Sequence, residues 1–272
     1  EVLKPAIDYA DNGYPVSEIV SSQWAASSQR LRALPSGQEL LPNGRAPVRG
    51  EIVRLPELAR TLQTIAEGGA EAFYEGPLAQ RIAQFVQEQG GWLSTEDMAG
   101  HTPTWEDPIR SDYRGVDCWQ CPPNSQGINV LLALNILEGF DVKGMGFQSA
   151  DAYHHLIECV RLAFADGLYH ITDLSEMRVA VEGLVSKAYA AERRALVHQN
   201  RALSAIPTAV PVRDSDTVYV ACVDSQGNGC SFINSVFSGF GTGLVVPGTG
   251  IVLQSRGASF SLDAGHPNAL AP

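Results

Sequence analysis

Apolar and polar positions along this chain fall into two regimes. Up to about residue 200 the apolar residues recur mostly at helical spacing, interrupted by proline and glycine. Pro56 opens a helix where its missing N–H costs nothing, with Leu58, Leu62 and Ile65 on one face and Gly68-Gly69 at its end. Pro77 repeats the device ahead of Leu78, Ile82, Phe85 and Val86, closed by Gly90-Gly91. Ser94-Thr-Glu-Asp97 is a capping signal for a short helix, and Pro5 to Ala10 reads as a helical turn stopped by Gly13 and Pro15. The segment from Pro108 to Cys121 is strand-like, and a tight loop from Pro122 to Gly127 feeds a helix over Ile128 to Leu137. Ser149 caps a longer helix whose apolar stripe is Tyr153, Leu156, Ile157, Val160 and Phe164; Leu184 to Val197 forms another.

The second regime follows a stretch punctuated by Pro207 and Pro211, which forbid a continuing helix there. Thr217 to Asp224 and Cys230 to Ser235 are rich in β-branched and aromatic residues and flank the turn Ser225-Gln-Gly-Asn-Gly229, a strand-turn-strand signal. Gly239-Phe-Gly-Thr-Gly243 and Pro247-Gly-Thr-Gly250 come next, then a strand from Ile251 to Gln254. These glycines lack the spacing of a dinucleotide loop and the lysine of a phosphate loop, so they read as tight backbone turning near a site.

Composition narrows the function classes. Of 272 residues, 44% are hydrophobic and 18% charged, enough to bury a sizeable core in one large domain or two small ones. Thirty acidic against nineteen basic residues give a formal charge of −11, which repels polyphosphate; a small molecule or peptide is the expected partner, not nucleic acid. No apolar run approaches the ~18 residues of a membrane span. Glu1 in place of a methionine, and the broken-off run from His266 to Pro272, predict a piece of a longer protein. Its compartment is left open.

Candidate chemistry sorts itself by context. Five cysteines without regular spacing do not make a disulfide framework. Cys118-Trp-Gln-Cys121 sits in a strand-like run instead of at a helix start, where the dipole would lower a thiol pKa, and no second pair completes a zinc site; these read as incidental strand cysteines. His154, His155 and Glu158 have the spacing of a metal site on one helix, but form only one such group and read as a solvated helix face. No metal is expected. There is no Gly-x-Ser-x-Gly elbow. Thr217 stands apart because it begins a strand directly after the linker ending Val212-Arg-Asp-Ser-Asp216. Were the bond before it cut, its hydroxyl and a terminal amine of pKa about 8 would share one residue, nucleophile beside base. A strand-initial threonine is also simply a β-former.

The stretch from Asp216 to Asn228, with Ser231-Phe-Ile-Asn-Ser235, Gly239-Phe-Gly-Thr-Gly243 and Pro247-Gly-Thr-Gly-Ile251, closely resembles the start of the small subunit of the γ-glutamyltransferase family. Phe73-Tyr-Glu-Gly76, Gly90-Gly-Trp-Leu-Ser94, Tyr113-Arg-Gly115, Pro122-Pro-Asn-Ser-Gln-Gly127, Leu134-Asn-Ile-Leu-Glu-Gly-Phe-Asp141 and Leu162-Ala-Phe-Ala-Asp166 agree in the same order. The resemblance spans essentially the whole chain. It implies an α+β N-terminal-nucleophile hydrolase with an incomplete αββα four-layer sandwich. Residues 1–216 would be the large-subunit portion and 217–272 the start of the small subunit. It implies self-cleavage between Asp216 and Thr217, attack by Thr217 on a γ-glutamyl amide, and transfer of the acyl group to water or an amine. No organic cofactor is needed. Ser235, eighteen residues after Thr217, falls where the family keeps a hydroxyl that hydrogen-bonds the nucleophile.

Three positions depart from the family pattern. Two that bind the glutamyl α-amino and α-carboxyl groups in typical members, Asn and Asp, match Phe237 and Ser259 here, and Arg256 stands where the family has Glu or Gln. Losing a carboxylate and gaining a cation favours a glutaryl-like acyl group over a zwitterionic glutamyl one. The resemblance further implies that the donor-clamping arginine lies before residue 1 and the oxyanion donors beyond Pro272. The chain alone would therefore be a poor catalyst, each lost oxyanion donor costing about 10²–10³ in rate. An acylase for a glutaryl-like amide and a catalytically idle homologue are the two alternatives.

Overall fold

A computed structural model of the chain describes residues 1–204 and 215–270, with the side chains of Ser215 and Asp216 outside that description. The linker prolines Pro207 and Pro211 fall outside it too. Packing divides the chain into two units, Glu1–Pro103 with Arg213–Gly257, and Thr104–Val212 with Ala258–Pro272.

The first unit opens with α1 (Lys4–Asn12), stopped at Gly13, whose φ of 88° and closeness to Ile52 leave no room for a Cβ. β1 (Tyr14–Pro15) pairs antiparallel with β2 (Ile52–Val53). Between them lies α2 (Glu18–Ala33), capped by the Ser17 hydroxyl accepting the Val20 N–H at 3.3 Å. Its buried residues are only Trp24 and Leu31, two turns apart, which is too sparse a stripe for the hydrophobic pattern to reveal. α3 (Pro56–Tyr74) begins as the sequence predicts but only kinks at Gly69, where φ is 68°, and resumes to Tyr74. α4 (Pro77–Glu88) buries Ala79, Ile82, Ala83 and Phe85. α5 (Thr95–Ala99) starts with the expected reciprocal cap, the Asp97 N–H donating to Ser94 Oγ at 3.1 Å and the Ser94 N–H to Asp97 Oδ2 at 2.8 Å.

In the second unit the strand-like segment is two strands. β3 (Ile109–Tyr113) and β4 (Val116–Gln120) form a hairpin turned at Arg114 and Gly115, whose φ values of 54° and 83° match the twist of the flanking strands. α6 (Ile128–Glu138) buries Ile128, Leu131, Leu132 and Ile136. α7 (Val142–Met145) leads to α8 (Ala150–His170), with the Ser149 hydroxyl accepting the Ala152 N–H at 3.1 Å. The stripe expected to face the core is on the wrong side. Tyr153, Leu156, Ile157, Val160 and Phe164 are exposed, while His155, Glu158, Cys159, Leu162, Ala163 and Asp166 are buried. Small residues let α8 approach α6 closely, and the buried polar groups find backbone partners, so the inward face is less apolar than the outward one. The helix expected over 184–197 is split into α9 (Val181–Leu184) and α10 (Lys187–Arg194) by a cap, Ser186 Oγ accepting the Tyr189 N–H at 3.1 Å.

The chain then returns to the first unit. β5 (Ser215–Val223) and β6 (Gly229–Ser238) form the expected hairpin, its tip pinned by Asp224 Oδ1, which accepts the Gln226 and Asn228 N–H groups at 2.9 Å each. β7 (Val245–Val246) pairs with β8 (Ile251–Val252), shorter than the strand read from sequence. Alternation sends the two valines of β7 into different clusters, Val245 with Trp24, Leu31 and Val53, and Val246 with Ile82, Phe85 and Met98. The architecture among the described residues is α+β, helices with four two-stranded antiparallel sheets.

Candidate active site

The β5–β6 ladder sets Thr217 directly opposite Ser235. Thr217 Oγ1 donates to Ser235 Oγ at 3.1 Å, and the same Ser235 oxygen accepts the Phe237 N–H at 2.9 Å. A backbone N–H thus fixes the acceptor that aims the threonine hydroxyl. Just beyond, the register slips: Ser215 faces Ser238, so Asp216 alone stands across from Val236 and Phe237. This bulge puts Phe237 at φ 79°, left-handed backbone that a bulky residue adopts at a cost of about 1–3 kcal/mol. The bulge lies across from the peptide bond that the sequence singles out for cleavage.

Arg256 closes around the same residues. Its Nη2 donates to the Ser235 carbonyl at 3.3 Å, and its guanidinium carbon lies 5.5 Å from the Phe237 ring centroid, a cation–π arrangement. The end of β6 is held to the segment before Arg256 by the Ser255 N–H donating to the Val236 carbonyl at 3.0 Å, and by the Ser238 N–H donating to Ser255 Oγ at 3.3 Å. Thr217, Ser235, Phe237 and Arg256 are therefore one neighbourhood. Ser259 belongs to the second unit, where Asn268 Nδ2 donates to its carbonyl at 3.0 Å.

Sequence reading missed the group that fixes the glycine loop. Arg30 on α2 donates through Nη1 to the Gly241 carbonyl at 3.2 Å and through Nη2 to the Gly239 carbonyl. Phe240, at φ 60°, packs its ring 5.2 Å from that of Trp24 on the same helix. At Gly241 a Cβ would lie 2.3 Å from the Leu253 carbonyl oxygen, so only glycine fits that turn. These partners are about two hundred residues apart, and α2 carries no local motif that points to them.

The remaining candidates have other employment. His154 Nε2 engages the His198 carbonyl at 2.7 Å, and His155 Nδ1 engages the Asp151 carbonyl at 2.8 Å. Glu158 is buried, not solvated: it accepts the Leu203 N–H at 2.8 Å and pairs with Arg161 at 2.5 Å. Burial opposes its ionisation, but that N–H, Arg161 and His154 together hold its carboxyl below the usual glutamate range. Burial also pushes the Cys159 thiol up to about 12, too weakly ionised to act as a nucleophile at neutral pH. Asp166 pairs with Arg193 at 2.6 Å, and burial raises its pKa more than Arg193 lowers it.

Comparison with known proteins bears on this geometry. The gamma-glutamyltranspeptidase family model matches residues 1–272. The glutathione hydrolase-like YwrD proenzyme of Bacillus subtilis (strain 168) is 40% identical over 100% of this chain and 51% of its own length. The acylase ACY 1 proenzyme of Pseudomonas sp. (strain SE83) is 33% identical over 100% of the chain and 49% of its length. The crystal structure of cephalosporin acylase from Bacillus halodurans superposes with a TM-score of 0.87 at 44% identity, covering 98% of this chain and 50% of that one. The chain spans about half the length of these relatives. The superposition gives it the fold of an N-terminal-nucleophile hydrolase.

Proposed function

The chain belongs to the gamma-glutamyltranspeptidase family, and on that footing we propose that it carries the processing junction and the nucleophile of an acyl-transferring hydrolase. The observation that carries the proposal is the Thr217 hydroxyl donating to Ser235 Oγ at 3.1 Å. Thr217 Oγ1 attacks the Asp216 carbonyl carbon, the C–N bond breaks, and Thr217 gains a free amine while the acyl group rests on its oxygen as an ester. Water opens that ester and leaves residues 1–216 as the end of a large subunit and Thr217 as the first residue of a small one. In turnover the amine, with a pKa of about 8, takes the Thr217 hydroxyl proton as the oxygen attacks a donor amide. The leaving amine departs, and the acyl-threonine passes to water or to an acceptor amine. Ser235 orients the nucleophile. Every group in this scheme is protein, with oxyanion donors and a donor-carboxylate clamp coming from the rest of the same polypeptide. The relatives named as proenzymes fit a precursor that must be cut.

For the donor, the proposal is an acidic acyl amide, of the γ-glutamyl class or its glutaryl-like counterpart. Arg256 favours the second, because a guanidinium beside Ser235 attracts a carboxylate and repels an α-ammonium. Relatives named as acylases are consistent with that choice. The deciding experiment uses full-length protein. Intact-mass analysis should find a new N-terminus at Thr217, and a chain that stays whole through prolonged incubation would refute the processing step. Turnover of γ-glutamyl and glutaryl anilides by the processed enzyme then ranks the donors.

A further inference from the structure

We propose that Arg30 of α2 is a positioning residue for the nucleophile, a role that rests on the function proposed above with Thr217 as the attacking group. It clamps the glycine loop that follows β6 and so keeps the Phe237 N–H on Ser235 Oγ. Both of its hydrogen bonds among the described residues go to loop backbone, from Nη1 to the Gly241 carbonyl at 3.2 Å and from Nη2 to the Gly239 carbonyl. A guanidinium fork suits two acceptors held at a fixed spacing, and its charge makes each bond stronger than a neutral donor would.

The loop needs a clamp from outside because of its own backbone. Phe237, Phe240, Gly241 and Gly243 all have positive φ, at 79°, 60°, 51° and 79°. Two of these are phenylalanines, for which left-handed backbone persists only where the surroundings impose it. Two tight turns satisfy part of the segment, the Gly241 N–H donating to the Ser238 carbonyl and the Gly243 N–H to the Phe240 carbonyl, at 2.7 Å each. The Gly239 and Gly241 carbonyls alternate with those two and are the ones Arg30 takes. Trp24, on the same helix, packs on the Phe240 ring, and the Thr242 N–H donates to the Leu253 carbonyl at 2.9 Å. The loop is thus gripped between α2 and the segment that leads to Arg256.

Phe237 carries the effect to the site. Its N–H donates to Ser235 Oγ at 2.9 Å, and that oxygen accepts the Thr217 hydroxyl at 3.1 Å. Ser255 holds the residues on either side of Phe237, through the Val236 carbonyl and the Ser238 N–H, and Arg30 holds the next carbonyl along. Without Arg30 the loop lets Phe237 relax toward the extended backbone of an ordinary strand residue, which turns its N–H away from the serine. The Arg30 bond at Gly239 lies two residues from Phe237, so its influence on Thr217 runs through that backbone.

Full-length protein carrying Arg30→Met should cleave more slowly before Thr217 and turn over with kcat lowered about 2- to 10-fold, the loss expected when one neutral hydrogen bond at the nucleophile goes. In a Ser235→Ala background, where the oxygen that the loop fixes is gone, Arg30→Met should add almost nothing; a loss of general stability would add in full. Arg30→Lys, a charge without the fork, should recover part of the loss, and it replaces Arg30→Met in the same cycle if the methionine variant does not fold. A second measurement needs no activity. In Thr217→Ala protein, which lacks the attacking oxygen, Arg30→Met should speed hydrogen exchange at the Phe237 amide severalfold while amides of the β5–β6 ladder keep their rates. Unchanged rates and unchanged exchange, or a loss that multiplies in full with that of Ser235→Ala, would overturn the proposal. Wild-type protein that neither cleaves nor turns over would instead refute the function beneath it, and exchange at Phe237 then decides the positioning by itself.

Discussion

Thr217 and Ser235 face each other across β5 and β6 with their hydroxyl oxygens 3.1 Å apart, and the Phe237 N–H holds the serine oxygen from the other side at 2.9 Å. The serine is therefore an acceptor fixed by backbone, which restricts where the threonine oxygen points. A neutral hydrogen bond of this kind is worth about 0.5–1.5 kcal/mol. Ser235→Ala should accordingly slow both cleavage and turnover by about 2- to 10-fold, with Ser235→Thr retaining most of each. Time courses of intact mass and anilide hydrolysis read the two effects, and unchanged rates in Ser235→Ala would remove the serine from the mechanism.

Thr217→Ala should abolish cleavage before residue 217 and all covalent acyl-enzyme, since the methyl group keeps the β-strand but has no oxygen to attack with. Thr217→Ser should still be processed. Mass spectrometry of the purified full-length variants decides it; ordinary turnover by Thr217→Ala would mean that another residue is the nucleophile.

The proposed donor preference is tested at Arg256 and Ser259. Wild-type full-length enzyme should hydrolyse γ-glutamyl-p-nitroanilide poorly relative to a glutaryl anilide, and Arg256→Gln with Ser259→Asp should raise kcat/KM for the γ-glutamyl donor. Each charge-assisted contact regained in the transition state is worth about 1.5–3 kcal/mol, or roughly one to two decades. Ratios left unchanged by the double substitution would show that these positions do not read the donor.

Glu158 sets a pH dependence of stability. Its folded-state pKa is held below the ordinary value, so its contribution is present above about 4.3, the unfolded glutamate value, and is lost as pH falls from there through the folded pKa. Glu158→Gln should lower stability by about 1.5–3 kcal/mol at neutral pH, the worth of hydrogen bonds to a charged group. Thermal melts against pH should show the gap to wild type narrowing below about pH 4. A gap of constant size would assign the loss to shape instead of charge.

The hairpin was legible because its two strands are local: alternation and the Gly- and Asn-rich tip suffice to pair the strands, while the partnership of Thr217 with Ser235 was implied by the family resemblance. Proline and capping signals likewise placed α3, α4 and α5. Failures came where tertiary packing overrode local pattern. On α8, apolar spacing indicated the outward face because Glu158 and His155 are buried with backbone partners that no local rule supplies. Arg256 was legible as a departure from the family, but its stacking on Phe237 depends on a left-handed turn that phenylalanine does not advertise. Arg30 left no trace, since it meets the glycine loop from 211 residues away.

Partner positions in β5 and β6 keep one register from Thr217 to Val223, and the bulge at Val236 and Phe237 shifts it by one before Ser215. One residue added at the tip between Asp224 and Asn228, carried along the ladder, would bring the present Asn234 opposite Thr217; one removed would bring Val236. Either change turns the serine away from the threonine, because neighbouring strand positions face opposite sides. The count of residues in the tip, held by the Asp224 carboxylate and the left-handed Gly227, thus decides which side chain meets Thr217: the hairpin works as a ruler.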